Sequence, residues 1–401
     1  MKRILNIALL SFAFGFFIFS PWTIAGTQTV LAAGVILAMV KFVLYPKDKI
    51  ETMRLIPLIS LYYVSYIISN LFSGDFRSAM HSLSYEWLPM TVLFWGSIQM
   101  SEKKLQIGLD ILIAIASLFS ICAIIQHFAG WNFLRNVALE PMMGFYIATG
   151  PFGEHLTFGA VYFLIAFFVF GYLLAGGGNT LSRKRLYRIF FGLSTLAVVF
   201  SYARSIWLAI IVAALFAAAF TSRKVFAWTL ATIAAFWTIV FTVFPSILQR
   251  MATIASSSFG SNINRIALWK TAWQMIWHNP IIGLGAGGFT RRFNEFFVGG
   301  FCPIRCHPHN DYLQTLVETG LIGLLIYIGI FIMFFNSAIK AIKSDNPFWR
   351  SIAMGALVAI VGIMFAGFFE CYFVNDEVEE IIFFLLCIGF VAEQRSKKAN
   401  E

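Results

Sequence analysis

Charged residues are scarce in this sequence. They make up 12% of the 401 residues, about half of the ~25% that soluble domains carry. Hydrophobic residues reach 59%, and 45 residues are phenylalanine. Because so few charges cannot cover the surface of a soluble globular protein, the disordered, fibrous and soluble enzyme classes are excluded. We therefore expect most of the chain to lie in lipid.

Cysteine is also rare, and its five positions are too scattered for a disulfide scaffold. The alternation of polar and apolar residues that barrel strands show is not visible either. Apolar runs of about 17–25 residues, the length of a membrane helix, recur instead. Together they predict an all-α polytopic membrane protein with a single membrane domain, 1–401. We count twelve spans: 4–20, 22–45, 53–72, 84–100, 105–127, 155–177, 186–203, 204–221, 225–247, 311–336, 350–369 and 377–393.

The formal net charge of +10 would suggest a nucleic-acid partner in a soluble protein. Twelve spans place both termini on one side, and if that side is the cytoplasm it holds 20 of the 29 basic residues. This is the distribution that the positive-inside rule predicts. We therefore expect cytoplasmic termini and no nucleic-acid partner. The first apolar run is expected to stay uncleaved, because no small-residue cleavage site follows it.

One segment between the ninth and tenth spans, 248–310, is too long for a simple connection and predicts a helical subdomain on the outer face. Within it, 263–278 has the pattern of an amphipathic helix whose tryptophans suit the level of the lipid headgroups. Pro280 and the glycines after it end that helix. The glycine-rich run 283–288 resembles a dinucleotide-binding fingerprint, but no strand precedes it, so we interpret it as a turn.

Nine basic residues remain on the outer side, where no topological rule requires them. Arg204 lies between two apolar spans, where an arginine is either a snorkelled anchor or a binder of anions. Arg265 begins the amphipathic helix, and by itself it could be a solvated loop charge. His309 is expected near the N-terminus of the tenth span, where the helix dipole favours a neutral imidazole that can accept a proton. Alternatively, Asn310 or Asp311 makes this point a polar helix cap.

A metal site is not expected. The spacing of Cys302, Cys306, His307 and His309 matches no standard zinc motif, so a local disulfide or free thiols are the favoured alternatives.

An acidic cluster follows the eleventh span on the same outer face. It could bind a cation, pair with the arginines or form a solvated loop, and the residues do not separate these readings. Its members are Glu370, Asp376, Glu377, Glu379 and Glu380.

Ionisable residues inside the spans would indicate a transporter, because transporters place functional charges near the midplane. Asp110 and Glu318 are the exceptions in spans that are otherwise nearly free of charge. A transporter of lipid-linked glycans is therefore the weaker alternative.

The run from His309 to Gly323 resembles the signature of the bacterial O-antigen ligase and polymerase superfamily, H-N-x-x-L followed by E-x-G. The segment from Arg265 to Gly285 is similar to the part that precedes this signature. Residues 201–208 are similar to the family's S-R-x-x-W-L helix entry, with Ala203 inserted, and 150–153 resembles its short glycine segment.

The resemblance implies a GT-C-like membrane glycosyltransferase of the bacterial inner membrane with its active site facing the periplasm. An O-antigen ligase transfers O-antigen from undecaprenyl diphosphate to a sugar hydroxyl of the lipid A core and so completes lipopolysaccharide. An O-antigen polymerase and an O-linked oligosaccharyltransferase of the same superfamily are alternatives, and the short tail after the last span favours the ligase.

The resemblance also implies which residues act. His309 is expected to be the base, with Arg204 and Arg265 on the diphosphate, and neither a cofactor nor a divalent metal is implied. Four further residues are expected to contact donor or acceptor: Arg291, Arg292, Arg305 and Asn310.

Overall fold

A computed structural model describes residues 1–142, 144–254, 256, 260–301 and 306–398. Two short antiparallel hairpins pair β1 (Trp131–Asn132) with β2 (Val137–Ala138), and β3 (Pro141–Met142) with β4 (Phe145–Tyr146). Apart from two 3-10 helices, Leu88–Met90 and Phe293–Glu295, α-helices make up the rest of the regular structure in these residues. They are α1 (Lys2–Phe19), α2 (Ile24–Leu44), α3 (Ile56–Leu71), α4 (Phe76–Leu83), α5 (Thr91–Ser97), α6 (Glu102–Ala129), α7 (His155–Leu174), α8 (Leu181–Val199), α9 (Arg204–Ala219), α10 (Arg223–Val243), α11 (Pro245–Ala252), α12 (Gly260–His278), α13 (Gly288–Arg291), α14 (Asp311–Ile342), α15 (Pro347–Ala366) and α16 (Asp376–Lys398).

Each of the twelve predicted spans contains a helix, and the predicted all-α polytopic membrane protein is confirmed. Seven helices in the described part of the chain are long and apolar enough to cross a membrane: α1, α2, α6, α7, α10, α14 and α15. Shorter apolar helices are α3, α9 and the stretch Leu88–Ser97 that contains α5. Because Leu88–Ser97 rises only about 15 Å, the fourth predicted span, 84–100, is helical over too short a length to cross a bilayer of ~30 Å alone.

The centre of the molecule is formed by α7 and α15, which are apolar on all sides and largely buried. Two glycines allow these helices to approach closely. A Cβ atom on Gly171 would lie 2.7 Å from the carbonyl oxygen of Met354, and one on Gly355 would lie 2.5 Å from that of Phe168. Such small residues let helix backbones pack directly in lipid, where no hydrophobic force draws helices together.

Both chain ends lie at the same end of the bundle. Lys2 forms an ion pair with Asp48 at 2.6 Å, and Arg395 forms one with Glu51 at 2.7 Å. Since Asp48 and Glu51 belong to one short connection between α2 and α3, the N-terminal and C-terminal helices meet there. This agrees with the even number of spans expected from the sequence.

The helix predicted at 263–278 is present as α12, whose buried residues include Leu268, Ala272 and Met275 and which packs against α14. Its amphipathic pattern is not borne out, because apolar residues lie on both its buried and its exposed sides. Trp273 and Trp277 lie on its exposed side, at 53% and 69% exposure. The exposed side of the helix thus carries two tryptophans, a residue type that suits the level of lipid headgroups.

The tenth predicted span is not one continuous helix, because α14 breaks at Gly320, where φ is 64° and ψ is −168°. That region of backbone space is essentially restricted to glycine. The glycine-rich turn fills the gap: Leu321 N donates to Pro280 O at 2.9 Å, and Leu284 N donates to Val317 O at 2.8 Å. The interpretation of 283–288 as a turn is confirmed, and its place is the break in α14.

Gly320→Ala should destabilise the protein strongly. Its Cβ atom would overlap the carbonyl oxygen of Ile281, and the backbone conformation alone costs an alanine about 1–3 kcal/mol. We expect a clearly lower melting temperature of the detergent-purified protein. Gly329→Ala is the matched control, since it lies in the same helix with nothing within 4 Å of the added atom; equal melting temperatures for the two variants would contradict this account.

Candidate active site

Arg204 begins α9 at a sharp reversal after α8. The reversal is made by Tyr202, whose φ of 55° is unusual for a residue other than glycine. Arg204 is only 7% exposed. Its guanidinium donates to Thr253 Oγ1 at 2.8 Å, Ser261 Oγ at 2.6 Å and Asn262 Oδ1 at 2.9 Å. These contacts hold the side chain inward against the outer segment, so the reading as a snorkelled anchor is wrong.

Arg265 extends from α12 towards the connection between α15 and α16. Its Nη2 lies 3.2 Å from Glu370 Oε2, and the arginine side chain is 20% exposed while that of Glu370 is 3% exposed. Arg265 is therefore a partly buried ion-pair partner, and the reading as a solvated loop charge is wrong.

His309 stands immediately before α14 in a left-handed conformation, with φ of 49°. Its Nδ1 lies 2.6 Å from Glu370 Oε1. Because an ionised carboxylate can only accept hydrogen bonds, Nδ1 carries the proton, and in the neutral ring Nε2 keeps its lone pair. The imidazole is 28% exposed, so it combines a fixed orientation with access for a reactant.

Glu370 joins the two predicted residues Arg265 and His309. Burial by itself would raise the pKa of its carboxyl. The hydrogen bond from His309, the positive charges that His309 and His307 carry in acid, and the charge of Arg265 together hold that pKa at about 2. The backbone N–H of Cys371 adds a hydrogen bond of 3.1 Å. Glu370 is therefore ionised at neutral pH and fixes the positions of both partners.

His307 lies next to the carboxylate of Glu370, with its Nδ1 3.6 Å from Glu370 Oε1. Burial first, and then the nearby His309 and Arg265, lower the pKa of His307 to about 4 despite the opposing effect of Glu370. Its ring is therefore neutral at neutral pH. His307, His309 and Glu370 are residues that could hold a metal ion, since their ligand atoms lie within 4.8 Å of one another.

A cavity of about 250 Å³ adjoins this cluster. Arg204, Asn262 and Arg265 supply polar groups to its wall, and the apolar part of the wall includes Trp269 and Phe369. The indole Nε1 of Trp269 donates to the carbonyl oxygen of Pro308 at 2.8 Å. Since His309 follows directly in the chain, this bond ties the histidine segment to the edge of the cavity.

A third arginine, Arg250 of α11, lies within electrostatic range of Arg204 and Arg265. Burial, followed by the positive charge of Arg265, lowers the pKa of Arg250. Three guanidinium groups brought this close repel one another unless negative charge lies among them. Glu370 is one such charge, and an anionic ligand in the cavity would supply more. The three arginines thus concentrate positive charge at this cavity.

The remaining predicted contacts lie elsewhere. Arg291 donates to the carbonyl oxygens of Leu284 and Ala286 in the glycine-rich turn, and Arg292 pairs with Glu295 at 2.6 Å. Neither lines the cavity of Arg204 and Arg265. These local contacts account for the positions of both arginine side chains. Arg305 lies outside the described residues.

Asn310 is the N-cap of α14: its Oδ1 accepts from Leu313 N at 2.9 Å, and its Nδ2 donates to Phe368 O at 3.0 Å. The predicted polar cap is confirmed. Both ends of this amide are bonded within the protein, so Asn310 supports the start of α14 next to His309. The substrate contact expected of it stays a prediction. Cys306 is disulfide-bonded, and Cys302 lies outside the described residues.

Sequence reasoning did not assign a role to Glu370 or Arg250. Glu370 was one of five residues in the acidic cluster, and pairing with the arginines was one of three readings. The structure supports that reading for Glu370, and it corrects the solvated-loop reading for Glu370, Glu379 and Glu380, which are 3%, 4% and 2% exposed. No spacing rule connects 370 to 309, so only the fold reveals the contact.

Ionisable groups inside the spans also have partners. Asp110 forms an ion pair with Arg183 at 2.8 Å. Glu318 accepts hydrogen bonds from Tyr66 at 3.2 Å and Gln314 at 2.7 Å. These contacts give Asp110 and Glu318 a structural role. The presence of two ionisable residues inside the spans therefore does not require a transporter.

Part of the chain is similar to known proteins. Residues 189–328 match the family model described as O-antigen ligase. That stretch contains Arg204, Arg265 and His309. The chain carries a domain of the O-antigen ligase superfamily. Glu370 lies beyond the matched residues, so its contact with His309 comes from the structure alone.

Two curated relatives are similar to parts of the chain. The exopolysaccharide production protein ExoQ of Rhizobium meliloti (strain 1021) is 27% identical over 105 residues, 24% of each chain. A protein of Rickettsia felis, whose name describes a candidate polysaccharide ligase, is 22% identical over 134 residues, 32% of this chain and 33% of its own. The matches thus span about a quarter to a third of the relatives' lengths, and they support the superfamily assignment.

Glu370→Gln should change how stability depends on pH. The pKa of Glu370 lies at about 2 in the folded protein against an ordinary 4.5, so its contribution is present above pH 4.5 and is lost as pH falls towards 2. We expect the variant to be less stable at pH 7, by at most about 3 kcal/mol. The difference in melting temperature between variant and wild type should shrink as pH falls below 4.5 and should vanish only near pH 2.

Glu295→Gln is the control for this experiment, because Glu295 pairs with Arg292 at an exposed position with 56% of its side chain accessible. It should melt like the wild type across this range. A difference for Glu370→Gln that is the same at pH 7 and pH 3 would show that the ionised carboxylate is not what stabilises the site.

Proposed function

We propose that the protein is a glycosyltransferase of the ligase type, which transfers O-antigen from undecaprenyl diphosphate to a sugar hydroxyl of the lipid A core. The observation that carries this proposal is the cavity with Arg204 and Arg265 on its wall beside His309. An anion site next to an oriented imidazole suits the transfer of a group from a diphosphate to a hydroxyl. The family match and the names of the two relatives support a polysaccharide substrate.

The arginines would bind the diphosphate of the donor. A guanidinium presents a planar fork that matches phosphate oxygens in a bidentate manner. Arg204 is fixed by three uncharged acceptors and Arg265 by Glu370. Donors held in place before the reaction stabilise the charge that develops on the leaving diphosphate, and each can contribute a few kcal/mol.

His309 would accept the proton of the attacking hydroxyl at Nε2. Glu370 keeps the Nδ1–H in place and stabilises the imidazolium that forms. The bond between the anomeric carbon and the diphosphate oxygen breaks as the bond to the acceptor oxygen forms. A single displacement of this kind inverts the anomeric configuration. Because the leaving group needs only charge stabilisation, we propose that no divalent metal takes part.

The orientation in the membrane follows from charge. The end of the bundle that holds both termini and the connection between α2 and α3 is rich in Lys and Arg, so we place it in the cytoplasm. The site lies in and beside the segment between α10 and α14, which the same rule places outside. The active site would then face the periplasm of the bacterial inner membrane, where a lipid-linked donor and a lipid acceptor can meet.

A second candidate is the joining of glycan units to one another, as a polymerase of the superfamily does. The relative named for exopolysaccharide production is the observation that favours it. Both reactions use the same donor chemistry and differ in the acceptor. The acceptor is therefore the variable that the experiment must test.

Transfer should be measured with purified protein and a lipid-linked O-antigen donor, with either lipid A-core or a second lipid-linked glycan as acceptor. We expect product with lipid A-core, undiminished in EDTA, and a loss of about 10²–10⁴-fold in His309→Ala. Product with the glycan acceptor alone would favour the polymerase. Loss of product in EDTA at an unchanged melting temperature would overturn the metal-independent mechanism, and full activity of His309→Ala would remove this residue as the base.

Arg204→Lys should reduce the rate about 10²–10³-fold, because lysine keeps the charge but loses the planar fork that binds phosphate. Arg292→Lys is the matched control, since this arginine lies in the same outer segment but pairs locally with Glu295. It should retain near-normal transfer. Equal rates for the two variants would contradict a diphosphate contact by Arg204.

A further inference from the structure

A second cavity, of about 490 Å³, opens at the end of the bundle that holds both termini. Three elements form its wall: the first turns of α1, the connection 97–99 and the start of α6. It shares no lining residue with the cavity of Arg204 and Arg265. No step proposed for glycosyl transfer therefore uses it.

The wall of this cavity is positively charged. Lys2, Arg3 and Lys104 line it, and the lining residues in the described part of the chain include no aspartate or glutamate. Arg3 and Lys104 are exposed, and neither forms an ion pair with a carboxylate that the structure describes. Two cationic side chains on the wall are thus available to an anionic occupant.

The carboxylate nearest to the third cation is shared. Lys2 Nζ lies 2.6 Å from Asp48 Oδ1, and the buried Lys41 has its Nζ 4.0 Å from Oδ2 of the same carboxylate. Lys41 Nζ also donates to the carbonyl oxygen of Ser97, a residue of the cavity wall, at 2.8 Å. Because one carboxylate faces two lysines, positive charge remains in excess beside the cavity.

The polarity of the wall changes along α1. This helix has 18 residues and rises about 27 Å, close to the ~30 Å of a hydrocarbon core. Its first turn, with Lys2 and Arg3, therefore lies at the level of the lipid headgroups. The residues that line the cavity further along α1 are Ile7, Leu9 and Leu10, which lie up to about 10 Å deeper. The wall is thus basic among the headgroups and apolar towards the acyl chains.

We propose that this cavity binds an anionic phospholipid. The phosphate of the lipid would bind to Arg3 and Lys104, since a guanidinium fork matches phosphate oxygens and an ammonium adds a point charge. Asn6 and Gln99, which also line the cavity, can donate hydrogen bonds to other oxygens of the headgroup. Basic pockets between membrane helices recognise anionic headgroups in this way.

The apolar part of the wall favours a lipid over a small anion. A free phosphate would contact the basic residues only, whereas an acyl chain of a phospholipid would also cover the apolar residues of α1. A lipid held in this way would connect the start of α1 to the start of α6. Its binding should therefore stabilise the folded protein.

The test uses the full chain, purified in a neutral detergent, stripped of lipid and kept at physiological ionic strength. Dioleoylphosphatidylglycerol and dioleoylphosphatidylcholine, which have the same acyl chains, are added in separate titrations, and native mass spectrometry counts the bound lipids. We expect one phosphatidylglycerol per chain to bind at least tenfold more tightly than phosphatidylcholine and to raise the melting temperature by several degrees. Glycerol phosphate, which lacks the acyl chains, should produce neither effect at the same concentration.

The double variant Arg3→Gln with Lys104→Gln should weaken phosphatidylglycerol binding at least tenfold and abolish the thermal shift. It should fold normally, because both side chains are exposed. Lys47→Gln with Lys49→Gln is the matched control. It removes the same number of charges from exposed positions at the same end of the bundle, but neither lysine lines the cavity. The control should bind the lipid like the wild type.

Three outcomes would overturn the proposal. Equal affinity for the two phospholipids would mean that the cavity does not recognise charge. An equal loss of binding in the control would assign the attraction to the whole basic surface and not to this cavity. A thermal shift of the same size with glycerol phosphate would identify the occupant as a small anion. None of these readouts involves glycosyl transfer, so they are independent of the function proposed for the arginine site.

Discussion

Glu370 is a buried carboxylate in a chain that lies mostly in lipid, where an ionised group without partners costs several kcal/mol. It remains ionised because Arg265 and His309 contact its two oxygens and Cys371 N–H adds a further bond. The same contacts determine where those two side chains lie. Removing the carboxylate would leave Arg265 beside other arginines without its counter-charge and His309 without a fixed tautomer. The arrangement of the whole site thus depends on one acid.

The backbone that carries these groups depends on the break in α14. A helix interrupted at Gly320 leaves N–H and C=O groups without helical partners, and no water is available inside a bilayer to bind them. The turn 280–285 satisfies them. That turn directly follows α12, so the segment that carries Arg265 is connected to the helix that His309 precedes. Helix break, turn and site therefore form one structural unit.

The arginines have opposite effects on stability and function. Arg204, Arg250 and Arg265 lie close enough to interact electrostatically, and their mutual repulsion disfavours the folded state. A diphosphate would relieve that repulsion, so the same charges that weaken the empty protein would strengthen donor binding. Perturbed ionisable groups of this kind often mark functional sites.

Much of the fold could be predicted from the sequence, because the period and length of apolar runs depend only on local composition. Helices occur at all twelve predicted spans and at 263–278. The breaks were harder to predict. Gly320 looks like an ordinary glycine in an apolar run, and only the neighbouring carbonyl oxygen of Ile281 shows why no other residue fits there.

The sequence by itself determined that the chain is a membrane protein and that Arg204, Arg265 and His309 lie in motifs that resemble one superfamily. It also showed that nine basic residues are left unexplained by the positive-inside distribution. Charge placement and local motifs are properties of short segments, so they can be read directly. The tertiary structure alone decided that Glu370, 61 residues after His309, contacts its ring. It also showed that Arg291 and Arg292 do not line the cavity. The direction of a side chain depends on packing between distant segments, and no local pattern encodes that packing.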